Sequence, residues 1–278
     1  MNNTFNIKRF GFTFRKDLIE NGKQYVLLLL TMFGLMALVI TFQTLNHYAI
    51  SKNADNHLSL NRILLIYLSF MFLGFGTWFA STFSSPMNHK LKRLSYLISP
   101  ASNLEKYLVR WIITTIGFIF AFFATMWFAD ALRVAIGSVV YPDLDIRFID
   151  ITQLFAPDGR NTGISYVVVP KEVFTILLSI YFLLQSIFLL GSTFWEKATF
   201  LKTFTAVAAI VAAFILICRW AILFFYGSLI GFGKVLDSFQ LDQTFSTEQV
   251  IIVISAFTLT FWILAYFRMK ESEIIKRL

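Results

Sequence analysis

The chain of 278 residues predicts an all-α integral membrane protein with six transmembrane helices. Three observations carry this reading. The chain is 57% hydrophobic and only 14% charged, where a soluble domain carries about 25% charge. Six apolar runs each reach the roughly 20 residues needed to cross a hydrocarbon core. Lys and Arg are spread unevenly over the segments joining those runs, the asymmetry that orients membrane proteins. In water such a sequence would expose large apolar patches, so lipid is the solvent that suits it.

Residues 1–24 carry Lys8, Arg9, Arg15, Lys16 and Lys23 against Asp17 and Glu20. Ile7, Phe10, Phe14 and Leu18 recur among them at helical spacing. This predicts an interfacial amphipathic helix with its apolar stripe in lipid and its cations near headgroups; a flexible basic leader is the alternative. Residues 25–48 form the first span, without a charge, and run too long for the core of a cleavable signal. Residues 60–83 form the second. Its Gly74 and Gly76 suit close helix approach.

Residues 84–110 are the stretch around which the chain is organised. Ser84-Ser85-Pro86 ends the second span. Asn88 to Ile98 predicts a short amphipathic helix, with Leu91, Leu94 and Ile98 on one face and Lys90, Lys92 and Arg93 beside it. Ser99-Pro100 breaks it. Ser102-Asn103-Leu104-Glu105 is a capping box, in which hydroxyl and carboxylate satisfy the first free amides of a new helix. The third span follows over residues 107–136, with Asp130 and Arg133 one turn apart at its far end and placed to pair. Residues 137–170 form a long non-spanning segment in which Val167-Val168-Val169 has strand character. The fourth span covers 171–193, a tight loop 194–202, and the fifth span covers 203–226. A polar segment 227–248 precedes the sixth span, 249–267, and a charged tail.

Charge sets the predicted orientation. Grouping the amino terminus, 84–110, 194–202 and the tail on one side collects 16 of the 24 Lys and Arg but 6 of the 16 acids. Cytoplasmic loops accumulate Lys and Arg, so both termini are expected in the cytoplasm. The formal net charge of +8 therefore reads as topology and not as a nucleic-acid surface.

Few residues suggest chemistry. Gly227 to Val235 superficially resembles a phosphate-binding loop, but its glycine spacing is wrong and valine follows the lysine where a magnesium ligand is needed. A small-residue pair at a helix end, or a re-entrant turn, uses the same glycines. His47, Asp55 and His57 could meet in one outer loop, yet no zinc-type spacing occurs and no metal is expected. No nucleophile elbow is present, so no catalytic residues or cofactor are assigned and the chain is not expected to be an enzyme. Gln185 sits nearest the middle of the fourth span and suits an interhelical hydrogen bond. The lone Cys218 excludes an intrachain disulfide. With almost no charge inside the spans, an ion-coupled pump is disfavoured, and the energy for any transport comes from elsewhere.

The topology resembles type-2 ABC transporter permeases: an amphipathic helix before span one, six spans, a basic helix between spans two and three, and a polar segment between the last two. Leu97-Ile98-Ser99-Pro100-Ala101-Ser102-Asn103-Leu104-Glu105-Lys106, followed by Arg110, is similar to a Leu-x-x-Pro-Ala-Ser-x-x-Glu-Lys signature of such permeases in the Bacteroidota. The outer segment between spans three and four is longer than usual for that family. The resemblance implies a multi-pass exporter subunit of a bacterial inner membrane, paired with an identical or related second permease chain. It also implies a separate ATPase subunit that holds the ATP and docks on the coupling helix. There Leu91, Leu94, Tyr96 and Leu97 would supply apolar contact, and Lys90, Lys92 and Arg93 would steer toward an acidic groove. Ser102 and Glu105 would cap the third span so that motion of the helix reaches the membrane. A basic loop touching anionic lipid is the plainer reading of the same stretch. A non-transporting scaffold or sensor whose segment 137–170 binds an extracytoplasmic ligand is the other functional reading.

Overall fold

The computed structural model describes residues 5–50, 57–87, 90–98, 100–142, 144, 146–151, 170–195, 197–226 and 247–275, and the backbone alone for residues 50, 57–59, 90–92, 97, 170–173 and 272–275. Among the described residues there are helices and no strands. In chain order they are α1 (Ile7–Ile50), α2 (His57–Ser81), α3 (Lys90–Ile98), α4 (Asn103–Ile112), α5 (Phe118–Val140), α6 (Pro170–Phe194), α7 (Thr199–Tyr226) and α8 (Thr247–Ile275). A π-helical turn, Ile113–Gly117, joins α4 to α5. They supply six helices long and apolar enough to cross a membrane, the third being Asn103–Val140. The Val167–Val169 strand and the glycines of 227–231 lie outside the described residues.

The first helix departs from the expected division into an interfacial helix and a span. Helical structure is unbroken over the 44 residues of α1. At 1.5 Å per residue that is about 66 Å, well beyond the ~40–45 Å of a whole bilayer, so α1 overhangs the membrane. The stripe assigned to lipid also divides: Ile7 and Leu18 are exposed, but Phe10 and Phe14 pack on the core. The overhang has partners on the protein, and those partners take one face of it.

Two apolar clusters hold the bundle. The larger joins α1, α2, α5 and α6 through Met36, Ile40, Leu64, Phe118, Phe122 and Tyr181. Its centre is aromatic, with Phe72 at 4.6 Å from Tyr181 and 5.0 Å from Phe122 between ring centroids. The smaller lies at the end of the bundle that carries α3, and includes Phe83, Tyr107, Leu189, Ala265 and Met269. Of the two glycines in α2, Gly76 makes the close approach: a Cβ there would sit 2.6 Å from the Tyr181 ring, whereas nothing lies within 4 Å of one at Gly74. The α6–α7 turn is tight because the Thr203 side chain fills the space beside Gly191 and Ala198 adopts a left-handed φ of 51°. Beyond its first turns α7 leaves the bundle, and its most apolar stretch is buried nowhere.

Candidate functional site

The polar groups of the α3 end build a joint between four helices. It starts from local sequence. The Ser85–Met87 3-10 turn ends α2, and α3 follows. Both halves of the capping box are present: Ser102 Oγ accepts from Glu105 N–H at 3.2 Å, and Glu105 Oε2 accepts from Ser102 N–H at 2.9 Å. Glu105 does more than the sequence showed. Its Oε1 accepts the Asn6 N–H at 2.7 Å and the Arg9 guanidinium at 2.9 Å. Asn6 opens α1, so one fully buried carboxylate serves the amino ends of two helices, where helix dipoles favour negative charge.

Arg110 is the second anchor, and it is only 2% exposed. Its Nη1 lies 3.3 Å from both oxygens of Asp17 and donates to the Tyr25 hydroxyl oxygen at 2.7 Å. Nε donates to the Phe83 carbonyl at 3.0 Å, and Nη2 to the Thr82 carbonyl at 3.2 Å and to Ser85 Oγ at 2.8 Å. The guanidinium thus satisfies the Phe83 carbonyl just past the end of α2 and adds a second donor to the Thr82 carbonyl, which already accepts the Ser85 N–H, while pairing with α1. Asp17 also accepts from Asn21 at 3.0 Å and from Tyr25 at 2.7 Å. A buried charge pair needs such additional hydrogen bonds to offset its desolvation.

α3 is held to this joint. Lys16 Nζ donates to the Ser95 carbonyl at 3.0 Å, and Ser95 Oγ donates to Glu20 at 3.0 Å. Tyr96 turns inward: its ring lies 5.0 Å from Lys106 Nζ and its hydroxyl donates to Met269 sulfur of α8 at 3.6 Å. Arg93 Nε donates to the Met87 carbonyl at 2.9 Å. Of the residues expected on the docking face, then, Arg93 and Tyr96 make contacts within the chain. Leu94 is 62% exposed, as is Ile98 at 72%. The side chains of Lys90, Leu91, Lys92 and Leu97 lie outside the described residues.

Deeper in the bundle a second set of polar groups links the third, fourth and sixth spans. Gln185 Nε2 donates to Thr115 Oγ1 at 2.7 Å, and Trp262 Nε1 donates to Gln185 Oε1 at 2.9 Å. The Tyr181 hydroxyl donates to the Thr115 carbonyl, in the π turn, at 3.1 Å. Tyr107 adds a bond from its hydroxyl to the Trp262 carbonyl at 2.9 Å. At the opposite end Asp130 and Arg133 pair at 2.6 Å. They also grip the chain beyond α5: Arg133 donates to the Arg147 carbonyl at 2.6 Å and Asp130 accepts from Ile149 N–H at 2.7 Å.

Among the described residues no group of three metal-ligating side chains comes together. Asp55 and the His57 side chain lie outside them. An apolar groove of about 340 Å³ opens between α1, α2 and α7, lined by Leu35, Met71, Gly74, Phe75, Trp78 and Phe200. It holds no charged side chain.

Six helices long and apolar enough to cross a membrane, with apolar side chains turned outward along them, define a multi-pass integral membrane protein. No family model, curated protein or solved structure matches the chain.

Proposed function

We propose that the chain is the membrane-spanning permease subunit of an ABC exporter in a bacterial inner membrane, with both termini in the cytoplasm. A separate ATPase subunit, which carries the ATP, docks on the loop 84–110. The observation that carries this reading is α3 itself. It is a short helix outside the six spans, exposed at Leu94 and Ile98 and fastened on its other side to α1, α4 and α8. A lipid-contacting loop has no need of that fastening. A helix that receives force from a partner does, because each tie conveys displacement to a different span. Lys90 and Lys92 suit an acidic groove on the ATPase. The second permease chain seats against α7, whose apolar stretch has little cover within this chain.

The test is Leu94→Asp in the intact chain isolated from its native membranes. The variant should insert normally and lose co-purification of the ATPase. Normal insertion with undiminished co-purification would overturn the proposal. The sensor reading draws support from the far end, where Asp130, Arg133 and Asn61 hold the described start of segment 137–170. It predicts ligand-dependent protection of that segment with no ATPase recovered.

A further inference from the structure

We infer that the hairpin between α6 and α7, together with the adjoining end of α8, binds the headgroup of an anionic phospholipid. Two cations from different helices converge on two consecutive rings. Lys202 Nζ of α7 lies 5.3 Å from the Trp195 ring centroid, and the Arg268 guanidinium of α8 lies 4.8 Å from that of Phe194. The convergence is therefore a product of the fold and not of spacing along one helix. Lys197, exposed in the turn, adds a third cation.

These charges are poorly matched by the protein. Neither Lys197 nor Lys202 has a carboxylate partner among the described residues; the Glu196 side chain lies outside them. Arg268 Nη1 is 3.1 Å from Glu271, but its buried Nε donates to no acceptor among the described residues. A phosphodiester brings the missing acceptor oxygens and negative charge, and it does so without the compensating ammonium that a zwitterionic headgroup carries.

The setting selects a lipid over a protein partner. Phe194 is 54% exposed and Trp195 40% at the end of a span, the level at which aromatic rings meet headgroups. The exposed Leu201 and Phe204 continue the surface down α7, so acyl chains below the bound phosphate meet apolar side chains. A cation held over a ring is attracted by the ring face and stays directed to that level.

The test uses the full chain in nanodiscs of phosphatidylcholine containing a minority of phosphatidylglycerol, followed by native mass spectrometry. The chain should retain phosphatidylglycerol selectively. Lys197→Ala/Lys202→Ala should weaken that retention about thirtyfold, roughly fivefold per cation. Arg62→Ala/Arg219→Ala removes the same charge from the ends of α2 and α7 remote from the hairpin and should leave retention unchanged. Equal retention of the two lipids by the native chain, as expected of a hairpin that seats a protein, would overturn the inference. So would an equal loss in both double variants, which would assign the effect to net charge. Should the hairpin variant fail to fold, thermal unfolding of the native chain decides. Phosphatidylglycerol should raise its Tm above that in phosphatidylcholine alone, and identical Tm values would refute the site.

Discussion

Replacing Arg110 by methionine tests the joint most directly, and should cost about 3 kcal/mol of fold stability, at the lower end of the range for breaking a buried ion pair. The lower end follows from what Asp17 keeps. Its carboxylate still accepts from Asn21 and Tyr25, so the charge left behind is not bare. The larger part of the loss comes from the Phe83 carbonyl and Ser85 Oγ, which lose their donor, while the Thr82 carbonyl keeps only the Ser85 N–H. Asp17→Asn leaves Arg110 four neutral acceptors and should cost about 2 kcal/mol, the worth of a charged hydrogen bond. Because the two side chains share partners, the double variant should fall short of the sum by roughly 1–2 kcal/mol. Unfolding by SDS titration, followed through tryptophan fluorescence, measures all three. An Arg110→Met loss below about 1 kcal/mol, comparable to an exposed pair, would show that the joint is solvated. Strict additivity would show that the two charges do not interact, and the argument for the joint would fail.

Ser102→Ala should cost about 1 kcal/mol as the loss of one cap. Glu105→Ala should cost about 3 kcal/mol, since a charged anchor of α1 goes with it, and amide exchange should then quicken at the starts of both α1 and α4. Gly76→Ala should destabilise by about 1–3 kcal/mol through its clash with Tyr181, while Gly74→Ala, with open space, should be neutral or stabilising by up to about 1 kcal/mol; thermal unfolding in detergent separates them. Gln185→Leu should lose about 1 kcal/mol by SDS titration, the usual worth of an interhelical hydrogen bond in lipid.

Much of this structure was legible in the sequence because its signals are local. A charge-free apolar run declares a span by its length. Ser102 and Glu105 declare a cap by their spacing, and Asp130 and Arg133 declare a pair by theirs. What stayed hidden depends on packing between distant segments. Nothing near Glu105 reveals Asn6 and Arg9, which lie more than ninety residues earlier. Arg110 read as one more cation on a basic side until the fold set it beside Asp17 and Tyr25. Phe10 and Phe14 had the spacing of a lipid-facing stripe, but periodicity alone does not say whether lipid or protein covers an apolar face. The contact of Tyr96 with α8 stayed hidden for the same reason, because Met269 lies 173 residues on. The π turn carries no proline, and Thr114-Thr115 alone does not announce it.

That turn has a mechanical corollary. Over Ile113–Gly117 the chain follows i→i+5 bonding, so the third span accommodates about one residue more than a regular helix of equal pitch. One residue amounts to roughly 100° of rotation. Glu105 and Arg110 before the turn, and Phe122, Ala129 and Arg133 after it, are all buried in the bundle. Deleting a single residue within the turn would return it to regular α-helix with the two halves still in phase, whereas a deletion elsewhere in the span would swing them apart by that angle. Tyr181, bonded to the Thr115 carbonyl, acts as the latch on this phase setting. The third span is therefore the part of the chain that can lose one residue, inside the turn, and keep its phase.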